Sequence, residues 1–220
     1  MLEDKSMYQR IDGSAWRKIW LMGDLHGCFN TLMPKLRVLK FNPYQDLLIS
    51  VGDLIDRGPD SLKCLELIHQ PWFFAIRGNH EQMAMDALEH HQLSLWELNG
   101  GEWFEHCSAN QQASALNLFR ECQRLPYIIE VETNTGIHVI AHADYPATHY
   151  QWRQEVDWHR VLWDRQRLSD HLAGHHTEID GADHFWFGHT PLKHRYDALN
   201  QHYIDTGAVF GGELTLVQLQ

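Results

Sequence analysis

No two cysteines stand near each other in this chain. Its four, Cys28, Cys64, Cys107 and Cys122, are scattered and form no C-x-x-C pair. That spacing argues against a disulfide framework and suits reduced thiols in a cytoplasm. Long apolar runs are missing as well. The first apolar stretch, Ile19-Trp20-Leu21-Met22, is too short for a signal h-region or a spanning helix. Positive charge is scarce: 18 Lys and Arg stand against 29 Asp and Glu, a net charge of -11. The deficit argues against nucleic acid and against an anionic membrane surface as partners, while leaving room for a locally positive cleft. There is no internal repeat, low-complexity tract or Pro/Gly-rich linker, so the chain reads as one domain over residues 1–220 with a full core. An apolar content of 44% and a charged content of 21% are those of an ordinary soluble globule. The expectation is a soluble cytoplasmic enzyme.

What is present is one pattern used five times. Ile19-Trp20-Leu21-Met22 runs into Gly23-Asp24-Leu25-His26-Gly27, and Leu47-Leu48-Ile49-Ser50-Val51 into Gly52-Asp53-Leu54-Ile55-Asp56-Arg57-Gly58. Trp72-Phe73-Phe74-Ala75-Ile76 precedes Gly78-Asn79-His80-Glu81. Val139-Ile140-Ala141 precedes His142-Ala143-Asp144, and Phe185-Trp186-Phe187 precedes Gly188-His189-Thr190. Short apolar runs of this kind predict buried strands. Gly78 is expected to let the chain turn sharply, leaving Asn79 and His80 at the mouth of a sheet.

Between the strands the periodicity changes. Leu32, Leu36 and Leu39 make a helical stripe, in which Pro34 is tolerable only in a first turn. Asp60 reads as an N-cap ahead of Leu62, Leu65 and Ile68, with Pro71 as the stop. A helix is expected from about Glu81 to Glu89. The first ninety residues are thus β-α-β-α-β-α, which predicts a largely parallel sheet whose ligand-bearing residues gather at the carboxyl ends of the strands. Residues 92–126 read as a helical, aromatic insert over one side of the site, carrying Trp96 and Trp103 and broken at Gly100-Gly101. The second half is strand-rich, with Thr133-Asn134-Thr135-Gly136 as a hairpin turn and a short helix near Val156 to Trp163. The fold class is α/β with mixed α+β character: a two-sheet core flanked by helices.

Taken singly, Asp53 or Asn79 reads as a turn residue, and any one of 17 histidines as solvated. Asp24 and His26 are two apart in an extended segment and project to the same side, so both reach one ion. Six donors, Asp24, His26, Asp53, Asn79, His142 and His189, each follow an apolar strand. An oxygen and nitrogen set without thiolate suits Mn²⁺, Fe²⁺ or Zn²⁺. Six are too many for one open catalytic ion, whereas two ions about 3.5–4 Å apart, bridged by a carboxylate, account for the count. The clusters His90-His91 and His171 through His176 repeat no ligand spacing and read as solvated. Trp152, Trp158 and Trp163 read as packing residues.

G-D-L-H-G, G-D-L-I-D-R-G, G-N-H-E, H-A-D and G-H-T, in this order, resemble the phosphoprotein phosphatase branch of the calcineurin-like metallophosphoesterases. The likeness is greatest to the small bacterial and phage serine/threonine phosphatases of the lambda-phage type. It covers nearly the whole chain and implies the calcineurin-like metallophosphoesterase fold, a β-sandwich core between helices. By that resemblance, Asp24 and His26 hold the first of two divalent ions, most often Mn²⁺ (or Fe or Zn). Asp53 bridges both, and Asn79, His142 and His189 hold the second. Phosphoserine and phosphothreonine in a phosphoprotein, and phosphotyrosine through a more open cleft, would be attacked directly by a hydroxide held between the ions. His80, paired with Asp56, resembles the family's acid and would protonate the departing oxygen. Arg57 would grip the substrate phosphate. Arg165 resembles the second phosphate-binding arginine, with Arg167 as a near neighbour. A symmetrical dinucleoside tetraphosphate hydrolase shares the first motifs, but that group typically has alanine and aspartate where this chain has Asp56 and Glu81. A scaffold that kept the fold without the chemistry would have lost ligands, and all six positions are filled here.

Overall fold

Apolar residues on both sides of a strand leave no face for water, so such strands need cover on each side. The computed structural model describes residues 7–220 and supplies that cover as layers. The first strand, β1 (Tyr8–Asp12), is followed by β2 (Lys18–Met22), β3 (Asp46–Ser50) and β4 (Phe73–Ala75). Later come the hairpin β5 (Ile128–Thr133) and β6 (Gly136–Ala141), then β7 (His184–Phe187), β8 (Tyr196–Ala198), β9 (Gln201–Tyr203) and β10 (Leu216–Gln218). One sheet has the order β10-β2-β3-β4, with β2, β3 and β4 parallel; the other runs β1-β5-β6-β7-β9-β8. The polar, mixed residues 1–18 predict a lead-in whose last part pairs at a sheet edge; β1, parallel to β5 at the end of its sheet, lies in this stretch, and residues 1–6 fall outside the described residues.

Alternation along each strand sets the layers. Trp20, Met22 and Leu48 face helices α1 (Phe29–Val38), α2 (Ser61–Leu65) and α3 (Asn79–His90), with α4 (Leu93–Leu98) and α5 (Ala109–Cys122) completing that side. Their neighbours Ile19, Leu21, Leu47 and Ile49 face the other sheet, against Ile129, Val131, Ile140 and Ile204. The far face of that second sheet, with Ile128, Val139, Phe185 and Phe187, is covered by α6 (Trp158–Trp163) and α7 (Gln166–Leu172). Two sheets packed face to face between helices are therefore what the run lengths called for. The carboxyl ends of β2, β3 and β4 share one rim, and the parallel pair β6 and β7 brings His142 and His189 to the same place.

Several local expectations change. Pro34 lies in the second turn of α1, where an N–H would have bonded to the Asn30 carbonyl. Asp60 stands at the N-cap of α2 without capping it: its carboxylate takes Asn30 Nδ2 at 2.7 Å and Lys63 Nζ at 2.5 Å. Helix α3 begins at Asn79, because Glu81 accepts from Gly78 N at 2.9 Å and closes the first turn; Asn79 and His80 are helical. Helix α7 and strand β8 were not expected. Among the described residues no helix is long and apolar enough to cross a membrane.

Candidate metal centre

The loops after β2 and β3 are tied to each other before any side chain is considered. Leu25 N and His26 N both donate to Asp53 O, at 3.1 and 2.8 Å, and Gly27 N donates to Leu54 O at 2.8 Å. Glu81, fully buried, then gathers three backbone donors: Asp53 N at 3.0 Å, Leu54 N at 2.8 Å and Gly78 N at 2.9 Å. One carboxylate thus fixes the β3 loop to the start of α3. The bonding over-determines a strained backbone. Nine non-glycine residues of the described chain have a positive φ, and five belong here: His26 (42°), Asp53 (51°), Asp56 (74°), Arg57 (70°) and His189 (68°). Each such conformation costs on the order of 1–3 kcal/mol and persists only where the surroundings hold it.

Gly78 serves the site differently from expectation. Its φ of -93° is open to any residue. What it supplies is space: a Cβ there would meet Asp53 Oδ1 at 2.2 Å and Asp53 N at 2.4 Å. Gly188 does the same for Asp24, whose Oδ1 would lie 2.1 Å from a Cβ.

All six expected ligands are at most 6% exposed. His26 Nε2, Asp53 and His80 form one group with mutually close donor atoms; Asp53, His142 and His189 form a second, sharing Asp53. His26 Nε2 stands 3.6 Å from Asp53 Oδ2, and His142 Nε2 stands 3.4 Å from Asp53 Oδ1. Asn79 Oδ1 lies 2.8 Å from both His142 Nε2 and His189 Nδ1. Asp24 is beside these groups but in neither; its oxygens accept from His189 N at 3.0 and 3.2 Å. His80 turns Nδ1 to Asp56 Oδ2 at 2.7 Å and leaves Nε2 4.0 Å from Asp53 Oδ2. Arg57 Nη1 donates to His26 Nε2 at 2.6 Å.

Two arginines separate cleanly. Arg167 is a clamp, with Nε on Asp144 Oδ1 at 2.6 Å and Nη2 on the carbonyls of Tyr145 (2.9 Å) and Ala147 (3.0 Å). Arg165 is exposed; among the described residues its guanidinium has one hydrogen bond, to Thr190 Oγ1 at 3.3 Å, and its charge helps to depress His189. Trp163 meets His189 edge-on at 6.2 Å. Of the two histidine clusters, His90 and His91 are exposed as expected, but His171 is buried, its Nδ1 3.1 Å from His176 Nδ1.

The donor set fits divalent cations. Burial first, then the charges of Asp205 and Asp53, raises Asp24 well above the usual carboxylate range. Burial likewise pushes Asp205 up to about 6 and Glu81 to about 7, Asp53 adding to both. Negative charge is crowded here, and a cation would relieve it. Asp53 is the exception: burial works against its charge, yet His142, His80 and His26 together hold it well below its ordinary value. Burial drops His26 and His189 to about 3, so both are neutral and offer lone pairs. The orientation of those lone pairs is set from behind, since His26 Nδ1 meets the Ile55 carbonyl at 2.8 Å and His142 Nδ1 the Val51 carbonyl at 2.7 Å. On His142 burial disfavours charge, but Asp53 more than compensates and raises it, so the spot attracts positive charge.

Residues 17–193 match the model of the calcineurin-like phosphoesterases. The chain belongs to that family. Such a metallophosphoesterase carries a pair of divalent metal ions, consistent with the buried His and Asp groups above. The chain is 58% identical over 220 residues to serine/threonine-protein phosphatase 1 of Salmonella typhimurium, covering 100% of both. It is 43% identical over 213 residues to serine/threonine-protein phosphatase 2 of the same organism, covering 97% of this chain and 98% of that one. In fold it resembles a putative diadenosine tetraphosphatase, at a TM-score of 0.72 and 20% identity over 97% of this chain and 94% of the other.

Roles that the motifs did not reveal include Glu81 as the loop anchor, Asp205 as a further buried acid, and Trp96 and Trp103, whose indoles reach Asp56. Glu81 stood in a motif but carried no structural signal; Asp205 and the tryptophans are distant in sequence from what they touch.

Proposed function

We propose that this chain is a protein phosphatase that hydrolyses phosphoserine and phosphothreonine monoesters of phosphoproteins, with phosphotyrosine also admitted. The whole of residues 1–220 acts as one catalytic domain, and its unpaired cysteines suit the cytoplasm. The observation that carries the reading is the His80–Asp56 pair, 2.7 Å apart and buried, with the free Nε2 aimed at Asp53. An alkoxide is a poor leaving group and needs a proton, which a phosphomonoesterase acting on serine or threonine must supply. The names of the full-length relatives support the same class.

Asp24, His26 and Asp53 would hold one ion, and Asp53, Asn79, His142 and His189 the other. Manganese is the expected metal, with iron or zinc also suited to the donors. When bound, the ions neutralise phosphoryl oxygens and make water nucleophilic at neutral pH. The chain's own residues do the rest. Arg57, held in its strained turn, presents a guanidinium fork to the phosphate, and Arg165, beside Thr190, supplies a second. Asp56 orients His80, and His80 Nε2 delivers the proton to the leaving oxygen.

The first motifs, shared with the dinucleoside tetraphosphate hydrolases, keep a second reading in view: symmetrical cleavage of a dinucleoside tetraphosphate. Assay of a phosphopeptide panel beside diadenosine tetraphosphate, after metal replacement, separates them. Turnover confined to the dinucleotide would overturn the phosphatase reading. Within it, His80→Asn is expected to slow phosphoserine peptide about 100-fold or more, and p-nitrophenyl phosphate, whose phenolate leaves unaided, much less. Equal loss on both would remove His80 as the acid.

A further inference from the structure

We propose that Trp96 and Trp103 are positioning residues for this reaction, acting through the Asp56 carboxylate to set the His80 ring; the proposal rests on the acid role of His80 given above. Asp56 is wholly buried and receives three side-chain N–H donors, one of them shared between its two oxygens. Trp96 Nε1 spans both oxygens at 3.0 and 2.9 Å, Trp103 Nε1 reaches Oδ1 at 2.8 Å, and His80 Nδ1 reaches Oδ2 at 2.7 Å. A carboxylate with that many donors cannot rotate without leaving one of them unpaired. Its plane, and through it the imidazole's, is therefore fixed by two indoles from the helical insert.

The insert is built to bring them there. Trp96 is on α4, and Trp103 lies in the 3-10 turn Gly101–Phe104. The rings meet edge to face at 6.1 Å, and Trp96 packs edge-on against Phe119 of α5 at 5.7 Å. Between them, Gly101 lies so close that a Cβ would meet Trp96 Nε1 at 2.6 Å. Next to it, Gly100 O accepts from Arg57 N at 2.9 Å, so the same segment also holds the strained Asp56-Arg57 backbone. An apolar core would be served as well by phenylalanine at either position. Two tryptophans from separate elements direct their single polar atoms at one carboxylate, which a packing role alone does not require.

The test uses the manganese-supplemented enzyme and the variants Trp103→Phe and Trp96→Phe, which keep a ring and remove the N–H. Each is expected to lower kcat for a phosphoserine peptide about tenfold, with KM unchanged and kcat for p-nitrophenyl phosphate changed less than about twofold. In a His80→Asn background the same substitutions should have no further effect, since their influence passes through that ring. Proton NMR of the zinc-loaded, diamagnetic enzyme gives a readout independent of turnover: the His80 Nδ1–H resonance should shift or broaden in both variants while melting temperature stays near that of the parent. Equal losses on the two substrates, additive losses in the His80→Asn background, or an unmoved His80 resonance would overturn the proposal. If one variant proves too unstable to assay, the other decides by the same criteria. Should His80→Asn itself show no leaving-group dependence, it is the acid assignment that fails, a result distinct from failure of the tryptophans.

Discussion

At the scale of residues, Arg165 and Arg167 are two positions apart and do different work. Arg165 is exposed and faces His189; Arg167 is largely buried and holds Asp144 and two carbonyls. Arg165→Ala should raise KM for phosphopeptide about tenfold, the worth of one charge-assisted hydrogen bond, with bound metal and melting temperature unchanged. Arg167→Ala leaves Asp144 with only the 3.8 Å approach of Arg160, and should cost about 3 kcal/mol of stability. Steady-state kinetics beside thermal unfolding of both variants checks the division; a KM effect confined to Arg167→Ala would reverse it. The motifs favoured Arg165 without deciding against Arg167, because the two stand only two positions apart in the chain. By contrast, the six expected donors could be named because each follows an apolar run, and the fold buries all of them. The reason for Gly78 was not legible: its role is clearance for Asp53, a residue 25 positions away, and no local pattern encodes that.

At the scale of elements, Pro34 in the second turn of α1 is the clearest conflict between sequence and structure. It is exposed, and without an N–H it deprives the Asn30 carbonyl of its usual i+4 helical partner. Helix α1 survives because Leu32 and Leu36 are buried against the sheet, and tertiary packing outweighs propensity. Pro34→Ala restores the N–H and gives back some unfolded-chain freedom; the first effect is the larger. The net expectation is a gain of about 1 kcal/mol, read as a higher denaturation midpoint with unchanged slope. A lower midpoint would mean that the proline ring makes contacts worth more than the missing bond. Strands were easier to place than helices for a related reason. The β2, β3, β6 and β7 runs are apolar on both faces and mark themselves, whereas α7 and β8 are short and mixed. Their positions follow from partners, such as the Asp144 clamp and the pairing with β9, that only the folded chain brings near.

At the scale of the whole molecule, the fold concentrates negative charge where two sheets and α3 meet, and metal occupancy should therefore be felt as stability. Asp24, Asp53, Glu81 and Asp205 are all buried, and Asp24 and Asp205 are pushed upward by burial and by the charge of Asp53, with Asp205 adding to Asp24. A cation that binds only the folded chain adds RT ln(1 + [M]/Kd), about 2.7 kcal/mol at 100 times Kd. For a chain of this length that is a rise in melting temperature of roughly 5–10 °C. Manganese added to chelated protein should produce it, and Asp53→Asn should abolish most of it, because Asp53 alone is shared by both groups of donors. Asp46→Asn offers the control: this buried carboxylate pairs with Arg17 at 2.6 Å at the opposite end of β3, so its loss should lower stability with and without manganese alike. An undiminished manganese response in Asp53→Asn would detach the ions from the convergence of strand ends on which the catalytic reading depends.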